Sequence, residues 1–533
     1  MTKVFYRHFL IVCFLSLLCQ TNLLAQSADV VITNGKVFTS DTNKLYVQAI
    51  AIKGNKIIAS GTNEAILKLA NSKTKKIDVQ GKTVVPGFND AHDHPAWFAP
   101  VGKFFNVNAE LNFAGLNKKA VLDSVALMLK DAKPGEWIHG FIGTSVFLDT
   151  SMRTSLDSLA PNNPVELQIW WGHGIVVNKK ALEASGYSDN DKDPVGGWFV
   201  RNRLNKISAL QQNAQTPVWI ALNKSDTQSV IKSLQSFVQE QLPAGITSVQ
   251  YMGTGFTQKF AASVFPKVNS PQRIRIMAFQ RSTSAGRQTQ DWSLAETHPS
   301  PLITISGVKY VIDGTPGEGN ALKKISSLAP GQKNGRLNYP IDTMKLILKE
   351  ALTTNRQLLM HITADSSFEV VLSLLQQTAP ADKFKTKRIR IEHNCVGPIS
   401  PQQREVLKAY NILMMHTPKY CQGSRLRSLF DNGVIVGISP DGTTNPFLDI
   451  MFCTTMQSDS TENLTREQAV IAYTKNNAYA EFKEKEKGTL MPGMLADLAV
   501  LSQDIFTIPA PQLPATKSVL TMINGKIVYE KTQ

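Results

Sequence analysis

From residue 83 to residue 438, short apolar runs alternate with longer amphipathic stretches. Runs at 83–88, 246–251, 274–279, 303–308, 357–360, 388–391, 412–415 and 434–438 have strand length and strand composition. Residues 340–354, 367–377 and 401–409 carry apolar positions at helical spacing between them. Strand followed by helix, repeated over eight strands, predicts an α/β fold closed as a parallel TIM (β/α)8 barrel. That count requires residues about 101–240 to form an insertion after the first strand.

Both ends of the chain read differently. Residues 30–38, 49–52, 56–60 and 83–85 are short strands separated by Asn-Gly, Gly-Asn and Gly-Lys turns. The tail repeats the style at 496–501 and 518–528, where Ile523-Asn524-Gly525-Lys526-Ile527 echoes Thr33-Asn34-Gly35-Lys36-Val37. One small β-sandwich domain, built from 26–86 and 487–533, is therefore expected around a barrel at 87–486.

The first 25 residues fit neither unit. Lys3 and Arg7 precede the apolar run 9–19, and Leu23-Leu24-Ala25 offers a small residue before a cut. This predicts a signal peptide and a periplasmic or secreted protein. No later stretch is apolar enough to span a membrane.

The 533 residues are 42% hydrophobic and 19% charged, as in ordinary globular proteins. The net charge of +15 loses Lys3 and Arg7 with the signal. The remaining excess is scattered among acids, with no basic face and no nucleic-acid motif. Cys395, Cys421 and Cys453 remain after the signal and read as small buried residues rather than a disulfide framework.

Chemistry in a parallel barrel sits at the C-terminal ends of the strands. Just past those ends stand His92 and His94 (first strand), Lys309 (fourth), His361 (fifth), His393 (sixth) and Asp441 (eighth). Four of the eight histidines outside the signal fall in this set, where a purely structural distribution would scatter them. His92 and His94 are spaced i, i+2, so both imidazoles leave one face of a strand. Together these are the parts of a two-metal hydrolytic centre, in which a metal lowers the pKa of bound water to about 7. A protonated lysine has no lone pair to give. Carboxylated by CO2, Lys309 becomes an oxygen donor able to bridge two ions; the alternative is a pair with Asp313. Asp441 is suited to accept the water's proton and return it to the leaving group, a plain ligand role being the alternative. His139 and His416 are expected to be structural, and Tyr251 and Met252 to pack in the core or line the pocket.

The motifs resemble those of the metal-dependent amidohydrolase superfamily, and within it the YtcJ-like (amidohydrolase 3) group. Pro86-Gly87-Phe88-Asn89-Asp90-Ala91-His92-Asp93-His94 is similar to its PGF-x-D-x-H-x-H strand, and Gly307 to Gly314 to its G-x-K-x-x-x-D-G strand. His361-Ile362-Thr363-Ala364-Asp365 resembles H-x-x-G-D, Arg390-Ile391-Glu392-His393 resembles R-I-E-H, and 488–497 resembles the return to the small domain. Two positions depart: Ala364 replaces a glycine, and Ser439-Pro440-Asp441 replaces G-S-D. The resemblance implies a small-molecule, amide-type substrate and hydrolysis of a carbon–nitrogen bond other than a peptide bond. It implies two divalent ions, zinc by expectation, held by His92, His94, Lys309, His361, His393 and Asp441. His173, in a segment like H-x-x-x-x-N-x-x-A-L, would face the substrate and polarise a carbonyl oxygen; burial beside Trp170 and Trp171 is the alternative. Two rival readings keep the fold: a one-metal deaminase, and a silent binding protein.

Overall fold

The computed structural model describes residues 27–94, 102–105, 114–287, 296–328, 330–331, 333–442 and 444–531; the expected signal peptide lies outside these. Eight strands form one parallel sheet: β1 (Phe88–Asp93), β2 (Ile246–Gly253), β3 (Arg273–Phe279), β4 (Ile303–Val311), β5 (Leu358–His361), β6 (Arg390–His393), β7 (Leu413–His416) and β8 (Val436–Ile438). Neighbours follow chain order. The seam between β8 and β1 is bridged where Asp441 N donates to His92 O at 3.0 Å. Outward side chains such as Ile276, Met360, Ile391 and Val436 join one core beneath the helices. Inward Met252, Met277 and Leu359 plug the barrel.

Helices Ile341–Thr353, Asp365–Thr378 and Pro401–Tyr410 occupy the expected positions. The last shows how the sequence sets its ends: Ser400 and Gln403 form a capping box, Pro401 opens the helix, and Asn411 closes it in the left-handed region. Between β3 and β4 the described residues hold a small hairpin and a strand, Thr297–Ser300, antiparallel to β4, in place of a helix.

The expected first strand at 83–88 is in fact divided between two sheets. Thr83–Pro86 pairs in parallel with Lys36–Phe38 and antiparallel with Leu498–Leu501. β1 starts only at Phe88. Gly87 makes the crossing, where any Cβ would collide with Thr247. This pairing joins the two termini. A six-stranded sheet drawn from both ends faces a four-stranded sheet across Ile32, Val37, Ile50, Val84, Leu498 and Met522.

After β1 the chain builds a second, mixed sheet of six strands spanning Lys103–Phe105 to Ile207–Gln212. One face carries its own core around Val121, Ile138, Val165 and Leu167. Ile175, Val177 and Leu210 on the other face join the barrel's core. Among the described residues no helix is long and apolar enough to cross a membrane.

One expectation about the cysteines is overturned. Cys395 and Cys421 form a disulfide with Cα atoms 4.7 Å apart, and among the described residues Cys453 alone is free, and it is buried. β6 and β7 are adjacent and parallel, so the loops leaving their ends lie side by side although 26 residues separate the two cysteines.

Candidate metal centre

The strand-end positions need adjustment at two places. His92 lies within β1, not past it, and Lys309 lies within β4, which continues to Val311. Each strand carries an irregularity. β1 spends three steps, Asp90 to Asp93, against two on β2, Val249 to Tyr251. β4 spends three, Ile305 to Val308, against two on β3, Ile276 to Ala278. The extra residue bends the strand and re-aims the side chains after it.

The six expected side chains converge. His92 Nε2 lies 3.2 Å from His94 Nε2 and 3.2 Å from Lys309 Nζ. The rings of His361 and His393 are 4.3 Å apart between centroids, and those of His92 and His393 are 4.9 Å apart. Asp441 Oδ1 is 3.5 Å from His94 Nε2 and 3.8 Å from His92 Nε2, and its Oδ2 is 3.6 Å from His393 Nδ1. His393 and Asp441 reach these places through left-handed backbone, φ 79° and 54°. Strand alternation turns Arg390 and Glu392 inward and would turn His393 outward; the positive φ reverses it. Such conformations cost on the order of 1–3 kcal/mol and cluster at functional sites. Lys309 does not pair with Asp313, whose carboxylate accepts Thr363 N at 3.0 Å instead.

Three side chains to which the sequence assigned no role, Glu392, Thr254 and Thr417, hold the imidazoles. His92 Nδ1 meets Glu392 Oε2 at 2.6 Å, and a carboxylate that only accepts requires the proton on Nδ1. Arg390 grips Glu392 through Nε at 2.7 Å and reaches Ala91 O at 2.7 Å. His94 Nδ1 pairs with Thr254 Oγ1 at 2.8 Å, and His393 Nδ1 with Thr417 Oγ1 at 3.0 Å. A charged pair spaced i, i+2 inside an otherwise apolar strand was the available signal for Arg390 and Glu392. Nothing local marks Thr254 or Thr417.

The electrostatics suit a cation. Burial holds His92, His94, His361 and His393 well below the usual imidazole range, so all four are neutral. Burial lowers Lys309 to about 8 and raises Asp441 to about 6. His361 Nε2 and His393 Nε2 are buried without a hydrogen-bond partner among the described residues. The ligand atoms of His92, His94 and Asp441 lie within 4.8 Å of one another. Bare, buried imidazole nitrogens aimed at one another are costly unless an ion takes their lone pairs. The residues present fit a divalent metal.

A small cavity of about 40 Å³ opens above this cluster. His94, Lys309, His361, His393 and Asp441 form its floor, and Trp171, His173, Gln212, Gln215, Trp219, Phe279 and Val311 line it. His173 comes down from the insertion's sheet, its ring 4.6 Å from that of His361. Tyr251 packs in the core with Phe237 and Phe265, and Met252 plugs the barrel. His139 forms a buried pair with Glu166. His416 is fully buried beside β6 and β8.

The model of the amidohydrolase family matches residues 75–529. The Bacillus subtilis protein YtcJ is 24% identical over 92% of this chain and 96% of its own. An N-substituted formamide deformylase from Arthrobacter pascens is 23% identical over 96% of this chain and 100% of its own. The solved structure of a metal-dependent hydrolase from Pyrococcus furiosus shares the fold, with TM-score 0.65 and 18% identity over 90% of this chain and 100% of the other.

Proposed function

We propose, for a chain that belongs to the amidohydrolase family and is thereby a metal-dependent hydrolase of carbon–nitrogen bonds, a centre for two zinc ions acting on a small neutral amide. His92, His94, Lys309, His361, His393 and Asp441 would hold the ions. When bound, such ions lower the pKa of water to about 7 and so supply a nucleophile at neutral pH.

The observation that carries the two-ion reading is Lys309. Its buried amine sits 3.2 Å from His92 Nε2, in the middle of the imidazole cluster, with burial working against its charge and the carboxylates of Glu392 and Asp441 working for it. A pKa of about 8 leaves neutral amine accessible. That amine adds to CO2: an N–C bond forms, a proton leaves to water, and two carboxylate oxygens result. Carboxylated, the side chain offers the ions oxygen donors that an ammonium lacks.

The other side chains then have definite tasks. Asp441 faces the cavity beside His94 and takes the attacking water's proton, then returns it to the leaving nitrogen. Glu392 and Arg390 keep His92 turned with Nε2 forward. Trp171, Trp219 and Phe279 exclude water and receive an apolar substituent. Among the described lining residues Lys309 is the only Lys or Arg, which favours a neutral amide over one bearing a carboxylate. The name of the Arthrobacter relative, an N-substituted formamide deformylase, agrees with that class.

The compact group His92, His94 and Asp441 favours a one-ion reading, as in a deaminase. Elemental analysis of the purified protein separates the two. Two zinc ions per chain are expected; one ion sinks the binuclear reading, and a metal-free, fully active protein sinks both. A panel of formamides, lactams, hydantoins and N-acyl amino acids then tests the substrate class, with turnover confined to N-acyl amino acids as the adverse result. Export after signal cleavage is part of the same proposal, supported by the 9–19 apolar run and by the disulfide.

A further inference from the structure

Gln212 stands in a backbone conformation that residues with a side chain seldom adopt. It ends the strand Ile207–Gln212 with φ 54° and ψ −133°. Its neighbours hold it there. Gln212 N donates to His173 O at 3.3 Å, and Gln215 Nε2 donates to Gln212 O at 3.0 Å. The side chain bridges two groups: Oε1 lies 3.1 Å from His173 Nδ1, and Nε2 donates to Glu318 Oε1 at 3.0 Å.

Glu318 decides which way round this amide sits. Its side chain is 1% exposed. It accepts from Thr315 N at 2.7 Å and from Thr315 Oγ1, as well as from Gln212. A carboxylate ringed by three donors is an acceptor only, so Gln212 must turn its NH2 toward it and its carbonyl toward His173. That carbonyl requires a proton on His173 Nδ1. With Nδ1 as the protonated nitrogen, the neutral form of the ring has its lone pair on Nε2, the nitrogen left for the cavity.

We propose that Gln212 and Glu318 are positioning residues that fix His173 with Nδ1 protonated, so that Nε2 accepts a hydrogen bond from an N–H of the substrate. The inference rests on the amide reading above and narrows it to primary and secondary amides. It reverses the expectation that His173 polarises a carbonyl oxygen, which needs a proton on Nε2. The strain at Gln212 fits the role, because a relaxed backbone would not aim the amide between the two partners.

Two measurements test this on the zinc-loaded full protein. In the first, ¹⁵N-histidine-labelled protein is examined by long-range ¹H–¹⁵N correlation, with His173 assigned by its loss in His173→Asn. The Nδ1–H pattern is expected in the wild type and in Glu318→Gln, whose side-chain carbonyl still accepts from Gln212. It is expected to be lost in the double variant Gln212→Met/Glu318→Leu, which removes both the amide and the carboxylate whose Oε1 lies 3.5 Å from Nδ1. An Nε2–H pattern in the wild type overturns the proposal whatever the turnover. In the second, formanilide is compared with N-methylformanilide, which has no N–H. The same double variant should lower kcat/KM for formanilide about tenfold more than for N-methylformanilide, mainly through KM, the size of one lost hydrogen bond. An equal loss on both, or none on either, overturns it. A wild type that turns over neither sinks the formamide reading, while the spectrum still decides the tautomer.

Discussion

Glu392 Oε2 lies 2.6 Å from His92 Nδ1, and Arg390 grips the same carboxylate, all three side chains being fully buried. This contact turns His92 so that Nε2 faces the centre. It also ties the first strand of the barrel to the sixth.

Glu392→Gln should keep the hydrogen bond from His92 but lose its charge. Metal affinity is expected to fall about 10–100-fold, the usual effect of removing a carboxylate behind a metal-binding histidine. Competition with a chelator reads this directly. Glu392→Ala leaves Arg390 buried without its carboxylate and should cost about 3–5 kcal/mol of stability. Unchanged metal retention in Glu392→Gln would remove the assigned role.

Asp441→Asn should retain metal yet lose about 10²–10⁴ in kcat, because an amide cannot take up the proton. Steady-state kinetics beside elemental analysis separates proton transfer from ligation. A variant empty of metal would make Asp441 chiefly a ligand.

Lys309→Met should bind one ion fewer than the wild type, and added bicarbonate should not restore it. In the wild type, apo protein reloaded with zinc under CO2-free conditions should recover activity slowly, and bicarbonate should speed recovery. Recovery independent of bicarbonate would argue against carboxylation.

The Cys395–Cys421 bond closes a 26-residue separation and begins two residues after His393. Its removal in Cys395→Ala/Cys421→Ala is expected to cost about 2–4 kcal/mol. It should also speed metal loss, since His393 and Asn394 hold left-handed backbone at the start of the tied loop. Denaturant unfolding and zinc release, followed with and without reductant, check both parts.

His416 gives a pH-dependent prediction. Burial lowers its pKa to about 3, and among the described residues neither ring nitrogen has a hydrogen-bond partner. The folded protein keeps it neutral, whereas the unfolded chain protonates it near pH 6.5. Its contribution is therefore complete above pH 6.5 and is lost as pH falls toward 3, at up to about 1.4 kcal/mol per pH unit. His416→Leu removes that slope. The stability of the variant relative to the wild type should rise as pH falls from 7 to 5, measured on metal-free protein in urea. A pH-independent difference would contradict the buried, neutral state.

The alternation of strands and helices was enough to place the barrel, and strand-end reasoning was enough to collect His92, His94, Lys309, His361, His393 and Asp441. Both work because apolar periodicity and the polarity of a parallel barrel are local properties that the chain writes residue by residue. Pairing is not local. The assignment of Thr83–Pro86 to a sheet with Leu498–Leu501 depends on a partner some 400 residues away, and so does the break at Gly87. The disulfide, the grip of Glu392 on His92 and the link from His173 through Gln212 to Glu318 share that character. Each joins groups whose separation along the chain says nothing of their distance in space. Sequence alone determined which side chains could hold a metal. Only the tertiary structure decided which nitrogen each histidine presents, because that choice belongs to the partner behind the ring.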